Sequence, residues 1–199
     1  SATGSLLGCK VKTKDKQFWY EGDTDGSFYG QHLFPASGKR IVITEGELDA
    51  ASCFECMPGW PMVSLPSGAA SAKKAVKANL ELLQGYEDIV LFFDNDEPGR
   101  KAAEECAGIL PPGKVRIARL DAYKDASDAL QSNDTTAVTR AIYDAKPYRP
   151  DGIVEGKSLL ELVTTPLPPN DYDYGFKGLD NLLHGIRYGE LVTITAGSG

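Results

Sequence analysis

Two apolar runs, Ile41-Val42-Ile43-Thr44 and Ile89-Val90-Leu91-Phe92-Phe93, constrain this chain more than any other feature. Neither alternates polar with apolar, as a strand with one wet face would. Both are rich in β-branched and aromatic residues, and each gives way at once to acidic residues and a helical pattern. Strands of this kind are buried on both faces. The arrangement that buries them is a mainly parallel sheet with helices on either side, an α/β fold. The pattern predicts strands over residues 40–44, 62–65, 89–93 and 114–120, and helices near 47–57, 70–84, 98–109, 126–131 and 135–144.

The residues that close the two runs carry the chemistry. Sheets of this class take ligands outside the carboxyl ends of their strands, and Glu45 and Asp94 both stand at that edge. Asp94 and Asp96 are two apart, so in an extended segment they point the same way. Carboxylates gathered with no softer ligand nearby suit magnesium, and with it phosphoryl-transfer chemistry. A plainer account stands beside this one: Asp96 could simply cap the helix that starts near Pro98. Asp125, in Lys124-Asp125-Ala126-Ser127-Asp128, is either a helix cap or a ligand for a second metal, and Asp128 is a weaker candidate of the same kind. Glu47 and Asp49 fall in a first helical turn, where the helix dipole accounts for acids without any function, so both rank below Glu45. Gly68 either lets backbone approach a phosphate or makes a tight turn, and Arg100 is either a phosphate contact or a surface helix residue.

Lys10, Lys12, Lys14 and Lys16 recur at every second position of a segment, 9–20, that reads as a hairpin or pair of strands. On one strand all four ammoniums would face one side, as a phosphate-binding stripe or as an edge guarded against pairing. With 21 basic and 28 acidic residues the formal charge is −7, so contact with nucleic acid needs a local patch of this sort. Cys53 and Cys56 sit in a helical pattern without a second metal-spaced pair and read as buried thiols in a reducing, cytoplasmic setting. No apolar run is long enough to span a membrane, and no signal peptide opens the chain, whose start lacks Met and reads as an internal cut.

Residues 22–39 read as loop, and 146–152 break the strand–helix pattern. A short helix is expected over 158–163, a three-proline loop over 164–170, and a strand running into Ala196-Gly197-Ser198-Gly199, half of a phosphate-binding loop without its Gly-Lys-Ser/Thr ending.

Glu45-Gly46 after one strand and Asp94-x-Asp96 with Gly99 after another resemble the TOPRIM fold of primases, topoisomerases and some nucleases. The wider series includes Lys10-Val11-Lys12, Asp15-Lys16-Gln17-Phe18, Val63-Ser64-Leu65, Gly68-Ala69, Lys73-Lys74, Pro112-Gly113-Lys114 and Lys124-Asp125-Ala126. In that order it is similar to the bifunctional primase–helicases of short-tailed bacteriophages and their Twinkle-like relatives. The resemblance implies a partial β-rich N-terminal primase subdomain (1–39), a TOPRIM catalytic domain (40–146), a linker with a short helix (147–173) and the opening of a RecA-like helicase domain (174–199).

It also implies synthesis of short RNA primers from nucleoside triphosphates on single-stranded DNA, with two or more magnesium ions. Glu45 would be the essential acid, metal-bound or a general base, with Asp94, Asp96 and Asp125 as metal ligands. Lys10 and Lys16 would be catalytic lysines that contact nucleotide, with Lys12, Lys14 and Arg100 toward nucleotide or DNA. Zinc is expected only in a preceding domain, and a hexameric ring only through the helicase domain. The fragment by itself is expected to be monomeric and to neither unwind DNA nor hydrolyse ATP. The implied location is the cytoplasm of a bacterial host, or a mitochondrion or plastid for a Twinkle-like parent. Pro98 departs from the family's usual Ala, a change a helix start tolerates. A TOPRIM nuclease or topoisomerase fragment, or an inactive module supporting a helicase, are the other readings.

Overall fold

The computed structural model describes all residues except Lys16, 151–155, Leu167, 198 and 199, together with the side chains of Lys12 and of residues 157, 158, 161 and 162. The chain divides into two compact units, Ser1–Asp151 and Gly152–Gly199.

The first unit opens with an antiparallel hairpin, β1 (Gly8–Lys12) and β2 (Phe18–Gly22), in which Gly8 faces Gly22 and Lys12 faces Phe18. Thr13 closes the hairpin by donating its backbone N–H to the Gln17 carbonyl (2.8 Å). The strand therefore ends at Lys12 and Lys14 lies in the turn, so the expected four-lysine stripe does not form on one strand face. Lys16 lies outside the described residues.

Then follow β3 (Gly38–Thr44), α1 (Glu47–Cys56), β4 (Met62–Ser64), α2 (Ala72–Ala78), α3 (Leu80–Gln84), β5 (Tyr86–Phe92), α4 (Glu97–Ala107), β6 (Val115–Ile117), α5 (Ala126–Gln131), α6 (Thr135–Tyr143) and β7 (Lys146–Pro147). The five strands form one sheet in the order β4-β3-β5-β6-β7, parallel except for β7 at the edge. Alternate residues of each central strand feed opposite faces. Ile41, Ile43, Ile89 and Leu91 pack with Val76, Leu83, Ala103 and Cys106. Val42, Val90 and Phe92 pack with Cys53, Met57, Ala129, Val138 and Ile142. Both faces are apolar, which is why the sequence shows runs rather than alternation. All four cysteines are free thiols, with Cys53 and Cys106 in these two cores.

Several expected elements differ in extent. The single helix expected over 70–84 is a 3₁₀ turn (Ala69–Ser71) followed by α2 and α3, broken at Asn79. The buried Asn79 carboxamide donates to the carbonyls of Ala75 (2.8 Å) and Gly26 (2.9 Å), a bond across the fold that holds the break open. β6 stops at Ile117, short of residue 120, and the two-residue β7 beyond it was not expected. The loop over 22–39 contains a 3₁₀ turn at Gln31–Leu33, and Tyr29 bridges to Ser64.

The second unit holds α7 (Gly156–Thr164) and α8 (Lys177–Leu183) and a bridge between Tyr172 and Ile186. Among the described residues no strand runs into Ala196, contrary to expectation. No helix is long and apolar enough to cross a membrane among the described residues.

A candidate active site of carboxylates at the sheet switch point

The chain leaves β3 toward β4 on one side, then crosses back to β5 on the other. Ligands of such sheets sit at this reversal, outside the carboxyl ends of the two strands it separates. Those ends carry Glu45 and Asp94.

Glu45 is shaped from both sides. The buried Thr44 hydroxyl donates to the Gly46 carbonyl (3.0 Å), fixing the turn out of β3. One Glu45 carboxylate oxygen, Oε1, accepts the Ala69 N–H (3.2 Å). The other, Oε2, is buried without a hydrogen bond of normal geometry, and the Asp94 backbone N–H is the other donor that favours the carboxylate's charge. Burial raises the Glu45 pKa above the ordinary carboxylate value, and the negative charges of Asp94 and Asp96 add to the rise. Gly68 supports this contact. Its φ of +70° belongs to the region that favours glycine, and it leads into the turn that presents the Ala69 amide. The Tyr20 hydroxyl donates to the Pro66 carbonyl and lies 2.9 Å from the Ser67 hydroxyl, tying the N-terminal hairpin to the same loop.

Asp94 and Asp96 meet a cation from their own chain. Lys124 Nζ lies 2.8 Å from Asp94 Oδ2 and 3.9 Å from Asp96 Oδ2. Asp96 Oδ1 meanwhile accepts the Gly99 N–H (2.9 Å) as the N-cap of α4, so one carboxylate both caps the helix and faces the site. Gly99 is required for closeness: a Cβ there would stand 2.3 Å from the Asp94 carbonyl oxygen. Arg100 turns back on this loop, donating to the Asn95 carbonyl (3.2 Å).

Asp125 caps α5 by accepting the Asp128 N–H (2.8 Å), and Asp128 is exposed on the first turn of that helix. Asp49 occupies a more central place than its position in a first helical turn suggested. Its carboxylate accepts the Ser127 N–H (3.2 Å). Its pKa is pushed up to about 6, by burial first, then by the charge of Asp125, with Asp94 and Glu45 contributing. Gly46 leaves room for this carboxylate, since a Cβ there would fall 2.8 Å from Asp49 Oδ2. Glu47 instead pairs with Lys10 (2.6 Å), whose ammonium also lies 5.0 Å from the centre of the Phe18 ring. Lys14 is exposed in the hairpin turn.

Glu45, Asp49, Asp94, Asp96 and Asp125 thus influence one another electrostatically at one sheet edge, which therefore carries excess negative charge. Among the described residues, no three carboxylate, imidazole or thiol groups stand close enough together to clasp an ion in their present conformations. A hard divalent cation nonetheless fits the donor set. The donors are all carboxylate oxygens, and one of them, Glu45 Oε2, is buried without a hydrogen bond of normal geometry.

This fold and its acidic edge define a Toprim domain, and the Toprim-like family model matches residues 42–130. The chain is 40% identical over 203 residues to the DNA helicase/primase of Enterobacteria phage T3, an alignment covering 98% of this chain and 35% of that protein. It is 30% identical over 220 residues to the chloroplastic/mitochondrial Twinkle homolog protein of Arabidopsis thaliana, covering 96% of this chain and 30% of that protein. Among solved structures, it matches a chain in the bacteriophage T7 assembly of lagging-strand DNA polymerase with primase domains of two gp4 subunits bound to an RNA/DNA hybrid and dTTP. That match has a TM-score of 0.69 at 40% identity and covers 74% of this chain and 75% of that one. The chain belongs to the Toprim primases of the phage primase–helicase family. It spans about a third of the length of the two curated relatives.

Proposed function

We propose that this chain is the catalytic core of a DNA primase, making short RNA primers from nucleoside triphosphates on a single-stranded DNA template. The observation that carries the proposal is the placing of Glu45, Asp94 and Asp96 at the switch point within electrostatic reach of one another, with one Glu45 oxygen buried and without a hydrogen bond of normal geometry. Toprim primase domains are generally magnesium-dependent. Glu45, Asp94, Asp96 and Asp125 are the residues we assign to magnesium, two ions or more, with Asp49 adding negative charge from the α1 side. Bound there, magnesium would lower the pKa of the attacking 3′-hydroxyl and neutralise charge on the triphosphate.

The chain's own residues do the rest. Ala69 N–H orients Glu45, the α4 cap orients Asp96, and Gly99 lets the loop between strand and helix close tightly. Lys10 is assigned to incoming nucleotide. Its pairing with Glu47 keeps the ammonium beside the acidic edge until phosphate competes for it. The same role is proposed for Lys12, Lys14 and Lys16 toward nucleotide or template, and for Arg100 toward phosphate. Asp128 and Gly68 are assigned structural parts, in the first turn of α5 and in the loop beside Glu45.

The T7 neighbour's RNA/DNA hybrid, dTTP and partner subunits support nucleic acid, nucleotide and further protein subunits as partners here. We assign 40–146 to the catalytic domain, 1–39 to the N-terminal primase subdomain, 147–173 to a linker and 174–199 to the opening of a helicase domain whose ring is hexameric. The phage relatives support work in the cytoplasm of an infected bacterium, with a mitochondrion or plastid as the alternative for a Twinkle-like parent. The test is direct: the parent protein, labelled ribonucleotides, magnesium and single-stranded DNA should yield short oligoribonucleotides, and Glu45→Gln should abolish them. Cleavage of the template without primer synthesis would instead favour a Toprim nuclease.

A further inference from the structure

We infer that Lys124 is a built-in counter-cation that holds Asp94 and Asp96 in the absence of metal and competes with the divalent cation for them. This rests on the metal assignment above. The ammonium is 2.8 Å from Asp94 Oδ2 and 3.9 Å from Asp96 Oδ2. Its position is set by backbone. The Asn95 N–H, between the two aspartates, donates to the Lys124 carbonyl (2.7 Å), and Asn95 Nδ2 donates to the Leu120 carbonyl (2.6 Å). The loop after β5 is thereby latched to the loop after β6, and the lysine side chain reaches back over that latch.

Two other cations are engaged elsewhere: Arg100 donates to the Asn95 carbonyl, and Lys10 pairs with Glu47. Compensation by Lys124 is partial. It covers the outer carboxylates and leaves Glu45 Oε2, deeper in, without a hydrogen bond of normal geometry. Because the latch uses the lysine's carbonyl and the side chain is 55% exposed, the ammonium can swing into solvent without moving either loop. A divalent ion then replaces a single charge with two and can also serve Glu45. Lys124 consequently sets the affinity of the site rather than forming part of it.

The test uses Mn²⁺ alone, titrated into the full chain and read by the electron paramagnetic resonance of the free ion. Lys124→Met should bind Mn²⁺ more tightly, by on the order of tenfold, whereas Lys124→Arg should stay near wild type. Without metal, Lys124→Met should melt below wild type, and saturating Mn²⁺ should close the gap. If the methionine variant does not fold, Lys124→Gln carries the same expectations. Equal or weaker Mn²⁺ binding by a folded variant overturns the counter-cation and leaves the metal assignment standing. Absence of Mn²⁺ binding in both wild type and variants overturns the two together.

Discussion

Asp49 and Ser127 are 78 positions apart, yet the Asp49 carboxylate accepts the Ser127 backbone N–H at 3.2 Å. The bond joins the first turn of α1 to the first turn of α5 and brings Asp49 into the field of Asp125, Asp94 and Glu45. An amide donor partly offsets the cost of burying that charge, and the neighbouring carboxylates add to the cost.

Asp49 should therefore give the metal-free protein a measurable pH dependence. Its pKa is raised from 3.8 to about 6, so between those values the native state binds more protons than the unfolded one. Stability should fall as pH rises through that window and level off above it. Asp49→Asn keeps an oxygen for the Ser127 N–H and removes the charge. In chelator it should be more stable than wild type at pH 8, by roughly 1 kcal/mol after allowance for solvent screening. At pH 4 the two should converge. Urea unfolding at both pH values checks this, and a variant weaker at pH 8 would refute it.

Away from the site, Asp88 on β5 sits between Arg40 of β3 (2.8 Å) and Arg116 of β6 (3.2 Å). Burial pushes this carboxyl up, but the two guanidinium hydrogen bonds outweigh it and hold the pKa below the ordinary value. Arg40 also packs near the Trp60 ring (5.8 Å) and already has a buried Nε without a partner. Asp88→Ala would leave two guanidiniums facing each other over the sheet. A loss of about 2 kcal/mol is expected in urea, with an unchanged m-value. Mn²⁺ affinity should not change, because the triad lies toward the opposite end of β5 from Asp94.

Much of this was legible from the chain because strand burial writes itself locally: 41–43 and 89–93 are apolar at every position, and the acids that follow must lie at one sheet edge. What escaped depended on partners distant in sequence. The break at Asn79 needs the Gly26 carbonyl, and Asp49 needs the packing of α1 on α5. Lys124 reaches Asp94 from 30 positions away, and β7 is a strand only because β6 lies beside it. The lysine stripe failed for the converse reason. Period alone cannot say where a hairpin turns, and the Thr13–Gln17 contact turns it after Lys12.

Gly99 offers a test in which the usual sign reverses. Replacing glycine by alanine in a helix normally stabilises by about 0.5–1 kcal/mol. Here the new Cβ would lie 2.3 Å from the Asp94 carbonyl oxygen, an impossible approach to backbone. Gly99→Ala should instead destabilise by about 2 kcal/mol or more. By displacing Asp94 it should also weaken Mn²⁺ binding. A stabilised variant with normal metal affinity would show that the close approach is not what positions Asp94.

Asp96 allows its two roles to be separated. Oδ1 caps α4 through the Gly99 N–H, while Oδ2 faces the Lys124 ammonium at 3.9 Å. Asparagine caps about as well as aspartate but carries no charge. Asp96→Asn should therefore remain within about 0.5 kcal/mol of wild type in stability while losing Mn²⁺ affinity and primer synthesis by on the order of a hundredfold. Asp96→Ala should lose both function and about 1 kcal/mol of stability. If Asp96→Asn folds normally and primes normally, capping is the whole role of Asp96, and the metal site narrows to Glu45, Asp94 and their neighbours on α1 and α5. Thermal unfolding and primer synthesis, measured on both variants, distinguish a cap from a ligand at one residue.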